Sequence, residues 1–194
     1  MLLTKRQLLL HHTASKDDSR PVLEQIYVFK EDGETVAVST DSYVLAEVRE
    51  QTELAENFPN VTPDVDNTEI ESAYIQAEVA KKILPLIPKK VVLPVLGKAL
   101  VQKDELVTTD LDKTTKFITR EQEFKYPEYQ KLMPEKPAEF KVNINPAKLK
   151  QVLEVFKDEP SLSIEFGEKP LDPVILRGGS AGTKIMAVVM PLRA

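Results

Sequence analysis

The sequence predicts an α+β fold of three repeated β-α-β-β-β units, with helices packed on antiparallel sheets. Three observations carry this reading. One grammar occurs twice: Pro-Val-Leu, an alternating strand, a short acidic turn, a second strand, then Thr-Asp. The two Thr-Asp pairs end at Asp41 and Asp110, 69 residues apart. A helical segment precedes each copy. A third helical segment with a single apolar stripe precedes three further strand-like runs.

In the first unit the opening strand is Met1 to Leu3 and the helical segment runs from Thr4 to Lys16. Pro21-Val22-Leu23 then leads a strand over Ile26 to Lys30, Gly33 marks a turn, and Val36 to Asp41 forms the next strand. The second unit repeats this with a short strand, Ala73 to Gln76, and a helix from Ala77 to Ile87 within a basic segment reaching Lys90. Pro85 and Pro88 disrupt its end, because proline lacks the amide donor. Pro94-Val95-Leu96 leads Ala99 to Gln102 and Leu106 to Asp110. The third unit opens with a strand from Phe140 to Ile144. Asn145 is its N-cap and Pro146 suits the first helical position. Leu149, Val152, Leu153 and Phe156 fall at i, i+3, i+4 and i+7, one face of a helix that runs to Lys157. Ser161 to Phe166, Pro173 to Arg177 and Ile185 to Met190 follow as strands, with a glycine-rich turn over residues 178–182.

Glu50 to Glu69 is polar and acidic and reads as a loop; Pro127 to Pro137 holds three prolines and reads as an extended connector. The expected organisation is a two-unit domain over 1–126, a connector over 127–137 and a third unit, half a domain, over 138–194. Stacked units bury one another's apolar faces. An odd number leaves one unit uncovered, which points to oligomerisation.

The composition is 42% hydrophobic and 29% charged, that of a globular chain. No apolar run approaches the roughly 18 residues of a membrane span, and Leu8 to Leu10 is too short for a signal peptide. With no cysteine, a reducing cytoplasm is the expected compartment. The net charge of −5 is unevenly spread. The three helical segments hold ten cations and only two acids, Glu78 and Glu154. Such segregation sets a basic surface on an acidic body, and a basic surface attracts phosphates.

Catalytic chemistry is sparse, and no cofactor or metal is expected. His11 and His12 are adjacent, and helical neighbours diverge by about 100°, so they are not expected to share a metal. The glycine-rich turn lacks the Gly-Lys-Ser/Thr ending of a phosphate loop. Asp110 and Asp112 alternate at a strand end, where turn capping is the common role. The chain is not expected to be an enzyme.

Several strings together resemble the β sliding clamp of bacterial DNA polymerase III. Tyr126-Pro127-Glu128-Tyr129-Gln130-Lys131-Leu132-Met133-Pro134 is similar to the aromatic-Pro-acid-Tyr connector before that family's last domain. Val188-Val189-Met190-Pro191-Leu192-Arg193 resembles its terminal Val-Met-Pro-x-Arg string. Thr40 to Ala46 resembles its Thr-Asp-Gly-His-Arg-Leu-Ala segment, with Ser42 and Tyr43 where the family has Gly and His. Leu93 to Gly97 and Thr109 to Asp112 resemble strings from the opening half of its first domain, so the second unit looks like an opening rather than a closing half.

The resemblance implies two surfaces. One is a shallow apolar groove for short linear peptides of polymerases, the clamp loader and repair proteins. Carried over, it comprises Leu23, Thr40, Ser42, Tyr43, Leu45, Pro127, Lys131, Leu132, Val188, Met190, Pro191, Leu192 and Arg193. Leucine, valine, proline and methionine give adaptable apolar walls, and Lys131 and Arg193 a cationic rim. The other is a helix-lined hole for duplex DNA, with Lys5, Arg6, Lys81, Lys82, Lys148, Lys150 and Lys157 facing phosphates without sequence preference. The family ring has six domains of two units each, so three units per chain imply four chains, a homotetramer. The alternative is a non-ring interaction protein that recruits or sequesters replication or repair factors through the same groove.

Overall fold

The computed structural model describes residues 1–60, 68–103, 105–119, 125–134, 136, 138, 140–180 and 183–193. The chain divides into two compact bodies, Met1–Glu128 and Tyr129–Ala194.

The first body contains two β-α-β-β-β units. The first unit is β1 (Leu2–Thr4), α1 (Lys5–Leu8), β2 (Gln25–Glu31), β3 (Glu34–Thr40) and β4 (Leu45–Gln51). The second is β5 (Ser72–Gln76), α2 (Ala77–Ile83), β6 (Lys98–Gln102), β7 (Glu105–Thr109) and β8 (Thr114–Ile118). Both sheets are antiparallel, in the orders β1-β6-β7-β8 and β4-β3-β2-β5. Each unit therefore gives its opening strand to the other. Leu3 of β1 pairs with Ala99 of β6, and Ile75 of β5 pairs with Ile26 of β2. The residues before the two helix caps meet the core through this exchange. One cluster joins Met1, Leu3, Leu8, Leu10, Ile26 and Val28 to Ile75, Ala80, Ile83, Ile87, Ala99 and Leu106, so both units share one core.

The helices are shorter than the sequence predicts. Thr4 caps α1 in a capping box with Gln7, but after Leu8 the chain tightens into a 3-10 turn, Leu9–His12. The expected continuation to Lys16 is diverted. Thr13 Oγ1 donates to Leu10 O, and Ser15 N donates to Leu23 O at 2.8 Å. Pro85 and Pro88 end α2 early, through a 3-10 turn over Leu84–Leu86. The Pro-Val-Leu strings lead into β2 and β6 as tight turns. Residues 21–23 lie in a turn closed by Leu23 N donating to Arg20 O, and Pro94–Gly97 is a 3-10 turn. Proline at the front of each favours tight turning. The expected loop begins later, because β4 extends to Gln51, and Ala55 and Phe58 are buried against Leu100 and Val107; residues 61–67 of the loop lie outside the described residues.

The second body is the third unit: α3 (Pro146–Leu153), β9 (Leu162–Glu165), β10 (Val174–Gly178) and β11 (Ile185–Val189). Asn145 caps α3 as expected, its Oδ1 accepting from Ala147 N and Lys148 N, and a 3-10 turn over Glu154–Phe156 follows. The sheet order is β11-β10-β9. The expected opening strand, Phe140 to Ile144, is absent: none of these residues is in a strand. The predicted stripe also fares differently from those of the first body. Phe156 is buried with Val174, Leu176 and Val189, but Leu149 and Val152 are half-buried and Leu153 is exposed.

Candidate functional site

The Thr-Asp repeats make the same turn twice. After β3, Thr40 Oγ1 accepts from Ser42 N, and Asp41 Oδ1 accepts from Tyr43 N and Val44 N, both at 2.8 Å. After β7, Thr109 Oγ1 accepts from Leu111 N, and Asp110 Oδ1 from Asp112 N and Lys113 N. Ser42 and Leu111 occupy the same left-handed position, at φ +82° and +80°. These backbone donors hold the Asp41 carboxyl below the usual carboxylate range. Asp110 is thus a turn cap.

The turn at Asp41 presents Tyr43 almost fully to solvent, 94% exposed, beside a shallow depression of about 500 Å³ that His12, Lys16 and Arg20 also line. Arg20 donates to Ser42 Oγ at 2.8 Å. Leu45 is half-buried at the start of β4, whereas Leu23 and Thr40 are buried beneath the surface. The aromatic that begins the connector is held on the first body. Tyr126 stacks on Tyr27 at 5.3 Å between ring centroids, and its amide donates to Tyr74 Oη. Burial raises the Tyr126 phenol. This fixes Tyr126 next to the exposed Pro127.

On the second body, Val188, Met190 and Leu192 are exposed, Pro191 is half-buried and Arg193 is exposed. Val188 lies on β11, and the segment after β11 is tied down where Leu192 N donates to Asn143 O at 2.7 Å. Leu132 is 75% exposed and Lys131 is exposed, at the end of a 3-10 turn over Tyr129–Leu132. Each body thus offers apolar surface from its share of the predicted groove.

The cations expected to face DNA fall on the solvent side of the helices. Val79, Ala80 and Ile83 turn α2 towards the core, leaving Lys81 and Lys82 exposed, each within 4.0 Å of Glu78. Arg6, Lys148, Lys150 and Lys157 are exposed too. Lys5 is partly withdrawn, because its ammonium donates to Pro88 O at 2.7 Å. The segment after α1 and α2 together line a second depression, about 630 Å³, with His11, His12, Lys16 and Lys81 around it and Glu78, Glu24 and Asp18 as acids. His11 and His12 were not assigned to either surface by the sequence, and Lys16 only to the first basic segment; all three follow Lys5 and Arg6 on that segment. The His11 and His12 rings lie with centroids 4.0 Å apart and planes tilted by 36°, and desolvation followed by the neighbouring His12 pushes His11 down. Among the described residues no group of three or more potential ligands could hold a metal.

Solved structures with a fold similar to these antiparallel sheets and packed helices are DNA polymerase sliding clamps. The DNA polymerase sliding clamp of Bacillus subtilis matches at a TM-score of 0.66 with 13% identity, covering 98% of this chain and 48% of the clamp chain. The β subunit of the Streptococcus pyogenes polymerase matches at 0.69 with 15% identity, over 100% and 50% of the two chains. The Pseudomonas aeruginosa clamp matches at 0.63 with 9% identity, over 98% and 50%. The chain has the sliding-clamp fold and spans about half the length of these clamp chains. No protein-family model matches the sequence, and no curated protein matches it. No helix among the described residues is long and apolar enough to cross a membrane.

Proposed function

We propose that the protein is a non-enzymatic, sliding-clamp-like processivity factor of the cytoplasm. As a homo-oligomeric ring it encircles duplex DNA, contacts phosphates through its helices and docks polymerase, loader or repair proteins through an apolar groove. The observation that carries this reading is the coincidence of a clamp fold over the whole chain with lysines on the solvent faces of its helices. A ring that must slide needs charge without base contacts, and exposed lysine supplies it.

Retention on DNA tests the reading. Protein bound to closed circular duplex should resist challenge by salt and competitor, and linearising the DNA should release it. Changing Lys81, Lys82, Lys150 and Lys157 to Glu should weaken association and flatten its salt dependence, by about 0.9 in the log-log slope for each lost phosphate contact. Equal loss from circular and linear DNA would reject encirclement, and an unchanged slope would remove these helices from the DNA face. For the groove, Leu45→Ala with Met190→Ala should abolish binding of a short clamp-binding peptide in a titration while circular dichroism stays unchanged. Intact affinity would reject the groove.

A further inference from the structure

In the first body, each opening strand completes the other unit's sheet by lying against the first strand after the other helix. The strands that receive this addition, β2 and β6, are interior, with Ile26, Val28, Ala99 and Leu100 buried. The third unit has the same helix and the same three following strands, yet both halves of the exchange are unmade. Among the described residues β9 has a neighbour on one side only, and Phe140 to Ile144 forms no strand; it is held in its own body by Asn143 O accepting from Leu192 N and by Val142 and Ile144 packing on the core. Burial follows. Ala80, Ile83 and Ile87 of the α2 segment are essentially inaccessible, while Leu149 and Val152 on α3 are half-buried and Leu153 is 39% exposed. Ile164 on β9 and Phe166 beyond it are 48% and 56% exposed.

We propose that a second copy of this chain covers this face through reciprocal strand exchange, residues 140–144 of each copy adding to β9 of the other. The first body supplies the template and its register. There the residue before the helix cap pairs with the first core-facing residue of the receiving strand, as Leu3 does with Ala99 and Ile75 with Ile26. On β9 the core-facing residue is Leu162, which packs on the same cluster as Val142 and Ile144. Transferring the register places Ile144 opposite Leu162, Asn143 opposite Ser163, Val142 opposite Ile164, Lys141 opposite Glu165 and Phe140 opposite Phe166. Apolar residues then meet on the core face, and polar or oppositely charged ones on the other. A shift of one residue would set Val142 and Ile144 against Ser163 and Glu165 and break the match. The segment and the edge it fits are both on one chain, so two identical chains satisfy each other around a two-fold axis. The interface rests on the strand pattern alone, not on the DNA-binding reading.

The cysteine-free sequence makes the test direct. Light scattering over a concentration series should show a species of two chains or an even multiple. Ile164→Glu, a charge on the receiving edge, should raise the dissociation constant roughly tenfold or more with circular dichroism unchanged. Oxidation of a chain carrying Asn143→Cys and Ser163→Cys should give a disulfide-linked pair of chains on a non-reducing gel, and neither substitution alone should do so. The cross-link keeps the test open if the glutamate variant does not fold. A single chain at all concentrations, an association unaffected by Ile164→Glu, or a cysteine pair that closes only within one chain would each overturn the exchange. DNA retention is measured separately, so failure of the clamp reading leaves these outcomes interpretable.

Discussion

At the scale of single residues, the Thr-Asp turn shows what a sequence repeat means physically. The carboxylate at Asp41 or Asp110 replaces missing backbone acceptors, and the threonine hydroxyl takes the amide just before those that the carboxylate takes. That much was legible, because threonine and aspartate sit at equal offsets in both units. The left-handed residue after each pair was not, since Ser42 and Leu111 carry no glycine signal. The clamp resemblance places glycine at Ser42, and its φ of +82° gives the reason. Leu111 offers the cleaner test, being half exposed. Left-handed backbone costs a non-glycine residue about 1–2 kcal/mol, and glycine's extra freedom when unfolded returns about 0.5–1 kcal/mol of that. Leu111→Gly should therefore raise the unfolding free energy by roughly 0.5–1 kcal/mol, seen as a higher urea midpoint. The Asp41 carboxyl makes a pH prediction. Its pKa is lowered on folding, so its contribution is present above the unfolded value near 4 and is lost as pH falls through the folded value. The melting temperatures of wild type and Asp41→Ala should differ at pH 7 and converge as pH falls below about 4.

At the scale of elements, the strands that follow each helix were legible because alternation and turn residues mark them locally. The partners of the opening strands were not. A three-residue strand such as β1 holds no record of which sheet it joins, and only tertiary structure reveals that β1 and β5 change places. The first helical segment came out short for a related reason, since Ser15 is fixed by Leu23, whereas α2 stops at its own prolines. The strand expected over Phe140 to Ile144 has the right alternation but no described sheet edge paired to it. The proposed groove residues were named one by one from their resemblance to the clamp strings. Burial of Leu23 and Thr40, by contrast, depends on packing that no string records. The exchange has an energetic consequence. Leu3 is fully buried in a core drawn from both units, so Leu3→Ala should cost about 2–5 kcal/mol. Because each unit holds a strand of the other's sheet, both should be lost together. Far-ultraviolet dichroism and tyrosine fluorescence should then report one coincident transition for the first body, at a lower denaturant concentration. Separate transitions for the two sheets would contradict the shared core.

At the scale of the whole molecule, the count of units and the distribution of charge lead to a joint prediction about mass. Two chains joined through their third units hold six β-α-β-β-β units, and four chains hold the twelve that the clamp resemblance assigns to a ring. The strand-exchanged pair is the first step, since it repairs an exposed edge with hydrogen bonds and apolar contacts, neither of which salt screens strongly. The proposed binding to DNA is the opposite case: it would draw on exposed lysines and weaken steeply with salt. The two levels of assembly should therefore separate experimentally. At high salt without DNA, light scattering should give a mass of two chains or an even multiple that does not change with salt. At low salt on closed circular duplex, the retained protein should count four chains per ring by native mass measurement after cross-linking. Ile164→Glu should remove both, whereas reversing Lys81, Lys82, Lys150 and Lys157 should remove the second and leave the first. A lysine variant that lost its salt-resistant mass would mean that these helices mediate assembly rather than DNA binding. A paired species that never reaches four chains on circular DNA would favour the other role, a groove-bearing protein that recruits or sequesters replication factors without encircling the duplex.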